Sequence, residues 1–365
     1  MQDDVRLLTE EELAFIHALQ LRPRASWTDL GRVLGVDPVT VARRWQRLSD
    51  RGEAWISVSP GPAVFDLLCA AFIDIDCTAG QTDAVVTALA AHPHMLTLER
   101  AGGSNRILAT IATEDFGQMS RYTLDVLPGV PHITAVRTRI VTHWFAEGGS
   151  WRIDVLTPDQ RDKLRTPPIT AGADRSRSVT PLDWALIGEL ARDGRAPHSA
   201  LAAAVGISAS TAKRRIRELT RLGLLSFRCD FARPLGGWPV AVTFWATAPT
   251  AALPEIGYGL IRLPQTRNCA AVSGTHNLVL QAGLHSVAEI ARFENQIATL
   301  HPELTVTQRT VTLRHEKLLG HILDRHGRAR AVVPPDIWRD PAAASLIRTE
   351  RSSESRVEPR GSSTA

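Results

Sequence analysis

At 365 residues, with 44% apolar side chains and a formal charge of only +4, the chain can build roughly two to four packed domains and is too apolar for a disordered polyelectrolyte. It holds no run of about 18 apolar residues that would make a membrane helix. Its start, Met1-Gln2-Asp3-Asp4, lacks the basic and apolar regions of a secretion signal, so a cytoplasmic setting is expected. The pI near 9.1 arises from arginines that cluster, which points to an anionic partner at particular segments. Cys69, Cys77, Cys229 and Cys269 form no C-x-x-C pair and are expected as reduced, packed thiols, with no metal and no cofactor.

Thr9 and Glu12 form a capping box for a first helix with the apolar stripe Leu13, Phe15, Ile16 and Leu19. Thr28 is read as the cap of a second helix carrying Leu30, Val33 and Leu34, ended by Gly35. Asp37-Pro38 opens a third, with Val41, Trp45 and Leu48 inward and Arg43, Arg44 and Arg47 outward. Two helices joined by a short glycine turn, the second basic on one face, describe a helix-turn-helix.

The next segment alternates in texture. Strands are expected at Leu67–Asp76, Met95–Leu98, Arg106–Thr113 and Ile133–His143, with helices at Thr82–Ala91 and Phe116–Leu127. The order β-α-β-β-α-β implies a ferredoxin-like sheet with helices on one face. Residues 145–178, rich in Gly, Pro and Ser, read as a linker holding one short helix at Pro158–Leu164.

From Thr180 the pattern begins again. A shift of 171 residues places Leu30–Val36 on Leu201–Ile207, Arg43 and Arg44 on Arg214 and Arg215, and Gly52, Gly103 and Pro131 on Gly223, Gly274 and Pro302. Register kept over this length marks a tandem duplication. In the second copy Pro254, Gly257 and Gly259 interrupt the helix expected after the first strand. The expected fold is α+β: two copies of a three-helix (winged) helix-turn-helix, each followed by a ferredoxin-like βαββαβ domain. The expected divisions are 1–57 and 58–144, a linker at 145–178, then 179–230, 231–323 and a mostly disordered tail at 324–365.

The stretch Asp183-x-x-Leu186-Ile187…Val205-Gly206-Ile207-Ser208-x-Ser210-Thr211…Arg214-Arg215-Ile216-x-x-Leu219 resembles the helix-turn-helix of Lrp/AsnC (feast/famine) transcriptional regulators. The resemblance implies double-stranded DNA as a partner, a small effector domain called RAM that senses a metabolite such as an amino acid, and homodimers or larger homo-oligomers. It places DNA contacts at Pro38, Thr40, Arg43, Arg44 and Arg47, and at Ser210, Thr211, Lys213, Arg214 and Arg217. The family's effector loop maps onto Gly103, Ser104, Asn105 and Arg106 and onto Gly274, Thr275, His276 and Asn277, neither with the usual acid. One chain is expected to fold as a pseudo-dimer of the two effector domains.

Siroheme decarboxylases share the two-part build and form the alternative. Their His-Asn-Tyr-x-Arg motif would fall on Leu96-Thr97-Leu98-x-Arg100 and near Asn268-Cys269-Ala270, without the His and Tyr. No catalytic residue is assigned, and the expectation is that the chain is not an enzyme. His92, His94, His315, His321 and His326 show no ligand spacing and are read as loop or surface histidines.

Overall fold

The computed structural model describes residues 6–65, 67–103, 105–165 and 179–342. Its first reader comprises α1 (Glu10–Leu21), α2 (Trp27–Leu34) and α3 (Pro38–Asp50), followed by the strand β1 (Ala54–Pro60) and a short helix α4 (Pro62–Phe65). The first effector unit follows as β2 (Cys69–Cys77), α5 (Thr82–Ala90), β3 (Met95–Ala101), β4 (Arg106–Thr113), α6 (Phe116–Arg121) and β5 (Ile133–Ala146). A connecting helix α7 (Pro158–Leu164) leads to the second reader: α8 (Pro181–Arg192), α9 (His198–Val205), α10 (Ala209–Arg221) and β6 (Leu225–Phe231). The second effector unit holds β7 (Val240–Thr247), α11 (Leu253–Leu260), β8 (Thr266–Val272), β9 (Leu278–Leu284), α12 (Glu289–Leu300) and β10 (Thr305–Leu318). The strands β11 (His321–Leu323) and β12 (Ala329–Val332) follow it. The 171-residue offset survives folding: α1, α2, α3 and β1 start 171 residues before α8, α9, α10 and β6, and β3 starts 171 before β8.

The two effector units do more than pack face to face. Strand β5 of the first unit pairs antiparallel with β8 of the second, and β10 of the second pairs with β3 of the first. Since β10 also pairs with β7, the strands run β10-β3-β4-β2-β5-β8-β9-β7 and back to β10, a closed eight-stranded barrel with no free edge. Alternation along the strands sorts the cores. Ala71, Ile73 and Ile75 face α5 and the α6 segment, whereas Phe72 points inward to meet Leu108, Trp245, Ala270 and Val279 from both units.

The wings also join the halves. Strands β1 and β6 pair antiparallel from Ala54↔Phe231 to Pro60↔Leu225. Phe231 and Cys229 complete the core of the first reader, and Val58 enters that of the second. Neither reader closes its core without the other half's strand.

Several sequence expectations change. The second helix is capped by Ser26, whose Oγ accepts from the Asp29 N–H, and not by Thr28. Gly257 and Gly259 do not break α11: a Cβ at Gly257 would lie 2.5 Å from the Phe145 ring, and one at Gly259 2.5 Å from His301, so the glycines permit close packing. The helix at Phe116 loosens after Arg121 into a wider turn over Tyr122–Val126.

The segment read as a linker is largely structural, because Trp151, Ile153, Leu156 and Leu164 bury in the first reader's core. Residues 324–342 are not a disordered tail either. β12 pairs with β11, Ile337 is buried, and Trp338 lies with its ring 3.8 Å from that of Trp184 on α8. A few apolar residues in an Arg- and Pro-rich context anchor this strap, which composition averaged away. The tail from 343 and the linker portion 166–178 lie outside the described residues. The histidine reading also fails in part: His94 and His321 are buried, and His94 Nε2 sits 2.7 Å from the Arg339 carbonyl oxygen. Trp45 is core, between Phe15 and Trp27. The four cysteines are free thiols, with Cys69 the least buried.

Candidate nucleic-acid interface and ligand cavity

The recognition helices α3 and α10 are each fixed at the N-terminus by a side-chain cap. Asp37 accepts from the Val39 N–H at 2.8 Å and Ser208 from the Thr211 N–H at 3.1 Å. Their inward stripes, Val41-Trp45-Leu48 and Ala212-Ile216-Leu219, leave the opposite faces to solvent. Thr40, Arg43, Arg47, Ser210, Lys213, Arg214 and Arg217 are exposed, with Pro38 and Thr211 half-buried. Arg43, Lys213, Arg214 and Arg217 have no ion-pair partner among the described residues, so these four cations are available to phosphate or base edges.

Arg44 is different. It lies 12% exposed and turned back onto α1, where it pairs with Glu11 at 2.5 Å. Arg47 reaches the buried Glu12 at 3.1 Å. In the second reader Arg215, the counterpart of Arg44, clamps Asp183 at 2.6 Å inside the capping box of α8. Arg6, Arg47 and the Thr9 N–H together hold the Glu12 carboxyl below its usual range, against the opposing pull of burial.

The loops expected to bind an effector are held by internal contacts. Ser104 lies outside the described residues. Gly103 and Asn105 have positive φ and shape the turn, and Arg106 pairs with the fully buried Asp74, which also takes Arg139 at 2.6 Å. In the other copy Gly274 has positive φ. The Asn277 side chain accepts from the Ala248 N–H and donates to the Ala248 carbonyl, and Thr275 Oγ1 neighbours His276 Nδ1. Both loops sit at the Asp74 end of the barrel.

A cavity of about 1020 Å³, open solvent at its mouth included, occupies the other end. It is lined by the far ends of the same strands, and by none of the described loop residues. Sequence reasoning missed it because its walls come from all eight barrel strands, with residues of β1 and β6, and only strand pairing brings them together. Arg228, Arg233, Arg267 and His315 crowd one side. Arg228 pairs with Asp230 at 2.6 Å and Glu147 at 3.6 Å. Arg267 is stacked on Trp151 at 3.8 Å, and its Nε and one Nη find no hydrogen-bond partner among the described residues. Burial, with Arg233 beside it, pushes the Arg267 pKa well below the arginine norm. Burial likewise lowers His315 to about 3, so its ring is neutral. Glu99, raised by burial, accepts from Thr312 at 2.6 Å.

AsnC-type helix-turn-helix models match residues 13–49 and 180–220, and the Lrp/AsnC ligand-binding domain model matches residues 70–150. These three segments carry the sequence pattern of Lrp/AsnC-type domains. An HTH-type transcriptional regulator of Pyrococcus abyssi is 23% identical over 126 residues, covering 34% of this chain and 80% of its own length. One from Pyrococcus horikoshii is 22% identical over the same length. Over nearly the whole chain the fold is similar to the siroheme decarboxylase NirDL, with a TM-score of 0.57, 12% identity, and coverage of 94% of this chain and 99% of that one. A second NirDL structure, in co-complex with an iron-uroporphyrin III analogue, gives 0.56 at 12% identity.

The likeness to NirDL overturns the expectation that the chain is not an enzyme. That expectation rested on a motif missing both near Asn268 and at Arg100, which pairs here with Asp83 and Glu316. The barrel instead brings His315 and Arg267 together from strands that no linear motif joins. Among the described residues, no three His, Cys, Asp or Glu side chains cluster as metal ligands, and no helix is long and apolar enough to cross a membrane.

Proposed function

We propose that the chain is a DNA-binding transcriptional regulator in which one polypeptide presents two unlike recognition helices, with a small molecule bound inside the shared barrel as its signal. The observation that carries this reading is the pair of capped helices whose cations Arg43, Lys213, Arg214 and Arg217 face solvent without ion-pair partners among the described residues. Chains then associate into homodimers or larger homo-oligomers, as the family resemblance implies. DNA binding by the purified full chain, measured by gel shift with and without the Lys213→Ala/Arg214→Ala pair, tests the reading. Equal affinity of both proteins for DNA contradicts it.

A second reading is favoured by the full-length likeness to NirDL together with the arginine- and histidine-lined cavity. In it the barrel decarboxylates a carboxylate-bearing tetrapyrrole: the guanidiniums bind the carboxylates, carbon dioxide leaves, and a proton takes its place. Incubation with siroheme, followed by mass spectrometry for loss of carbon dioxide, tests it. An unchanged substrate mass excludes it.

A further inference from the structure

The duplication makes the cavity readable position by position. Arg267 stands where the first unit has Leu96, His315 where it has Trp144, and Arg228 where it has Ser57. A symmetric barrel would carry the same lining on both sides; this one is polarised. On the first unit's side, Leu96 and Trp144 gather with Leu68, Ala70 and Ala112 into an apolar wall, closed from outside by Ile337 of the C-terminal strap. On the second unit's side stand the three arginines and the neutral His315.

The donors on the basic side are held but not satisfied. Arg267 is 94% buried and fixed by Trp151, whose Nε1 donates to the Pro264 carbonyl at 2.8 Å. Gly283 backs it: a Cβ there would lie 2.2 Å from Arg267 Nε, so the glycine leaves the space that the guanidinium fills. Arg228 Nε and His315 Nδ1 also lack hydrogen-bond partners among the described residues, with Glu99 Oε1 3.8 Å from the imidazole. The carboxylates on the walls are occupied, Glu147 by Arg228 and the Gly149 N–H, and Glu99 by Thr312. Buried, unpaired guanidinium donors are costly and call for an anion.

We propose that the cavity binds one amphipathic anion per chain, a carboxylate-headed molecule with a single apolar body. Its head sits against Arg267 and Arg233, and its body lies along Leu96, Trp144 and Ala112. An eight-stranded barrel has room for one small ligand of this kind. This assignment rests on the reading of the barrel as the signal site, and it names the chemistry of the signal. A free amino acid, with an ammonium group beside its carboxylate, would set a second cation among the arginines and is disfavoured.

Isothermal titration of the full chain with decanoate, decanol and uroporphyrin III tests this. Decanoate is expected to bind at one site per chain, about tenfold or more tighter than decanol, as charge-assisted hydrogen bonds require. Arg267→Leu, which installs the first unit's own residue, is expected to weaken decanoate by a similar factor and leave decanol unchanged. Ala112→Trp, which fills the apolar end, is expected to weaken both. Thermal melts establish that each variant is folded; if Arg267→Leu is not, the decanoate–decanol ratio on the native chain decides. Affinities for decanoate and decanol within about twofold, or uroporphyrin binding with no decanoate binding, overturn the proposal. DNA binding is measured on the same samples. Retained DNA binding without decanoate binding sinks the ligand assignment alone, and decanoate binding by a chain that binds no DNA either with or without decanoate sinks the regulator reading.

Discussion

Arg24 and Arg195 hold the same place in the two repeats, and each donates to the loop that carries the other. Arg24 donates to the carbonyls of Gly194 and Ala196, and Arg195 to those of Pro23 and Ala25 at 2.6 and 2.8 Å. Arg195 also lies over the Trp27 ring at 3.8 Å. This reciprocal clasp, with the β1–β6 ladder, sets the two recognition helices in a fixed relation.

Truncating either arginine strands two half-buried carbonyls. Arg24→Ala is expected to lower unfolding stability by about 1–3 kcal/mol. Arg195→Ala should cost more, because it also loses the stacking on Trp27, a contribution of about 0.5–2 kcal/mol. Urea denaturation of the two variants measures both; a smaller loss for Arg195→Ala contradicts the stacking contribution.

The basic residues of the readers divide into two kinds. Lys213→Ala and Arg214→Ala are expected to leave stability within about 0.5 kcal/mol. Each should lower the salt dependence of DNA binding by about one unit of slope if it contacts a phosphate. Arg44→Ala and Arg215→Ala are expected to lose stability first, since they release Glu11 and the nearly buried Asp183. Melting curves and salt titrations of the four variants separate the classes.

Acid should loosen the connecting segment from the first reader. His17 Nδ1 accepts from the N–H groups of Val155 and Leu156, and burial lowers its pKa to about 4. The folded state therefore binds fewer protons than the unfolded chain between pH about 4 and 6.5. The stability held by neutral His17 is complete above about 6.5 and is lost as pH falls through that window, by up to about 3 kcal/mol. His17→Leu is expected to flatten this part of the stability–pH curve; an unaltered slope rules out His17 as its source.

Gly257→Ala is expected to destabilise the second effector unit by about 1–3 kcal/mol, because its new methyl meets the Phe145 ring. Gly188→Ala, on α8 with open space at the same distance, serves as the control and should be neutral or stabilising. Thermal denaturation of the pair reads out the difference.

Local chemistry explains which parts of this architecture could be read from the chain. The caps at Thr9, Asp37, Thr180 and Ser208, the glycine turns and the apolar stripes are written within one helix each, and the 171-residue register carried them to the second copy. The Arg106–Thr113 strand and the Pro158–Leu164 helix fall where periodicity and capping put them. Gly257 was misleading because its reason, the Phe145 ring, is 112 residues away in sequence. The cavity was hidden for the same reason: Leu96, Arg228, Arg267 and His315 become neighbours only when β10 pairs with β3 and closes the barrel. Arg44 and Arg43 look alike in sequence, and only the position of Glu11 tells them apart.

Selection of binding sites from random DNA by the full chain tests the regulator reading most directly. The two recognition helices differ where they would meet bases, with Val39 against Ser210, Ala42 against Lys213 and Arg47 against Glu218. The clasp at Arg24 and Arg195 fixes their spacing. The expected result is an enriched element with two unlike halves about one helical turn apart, its binding steeply weakened by salt. Failure to enrich any element above non-specific DNA, or enrichment of two identical half-sites each protected by a different reader of one chain, contradicts it.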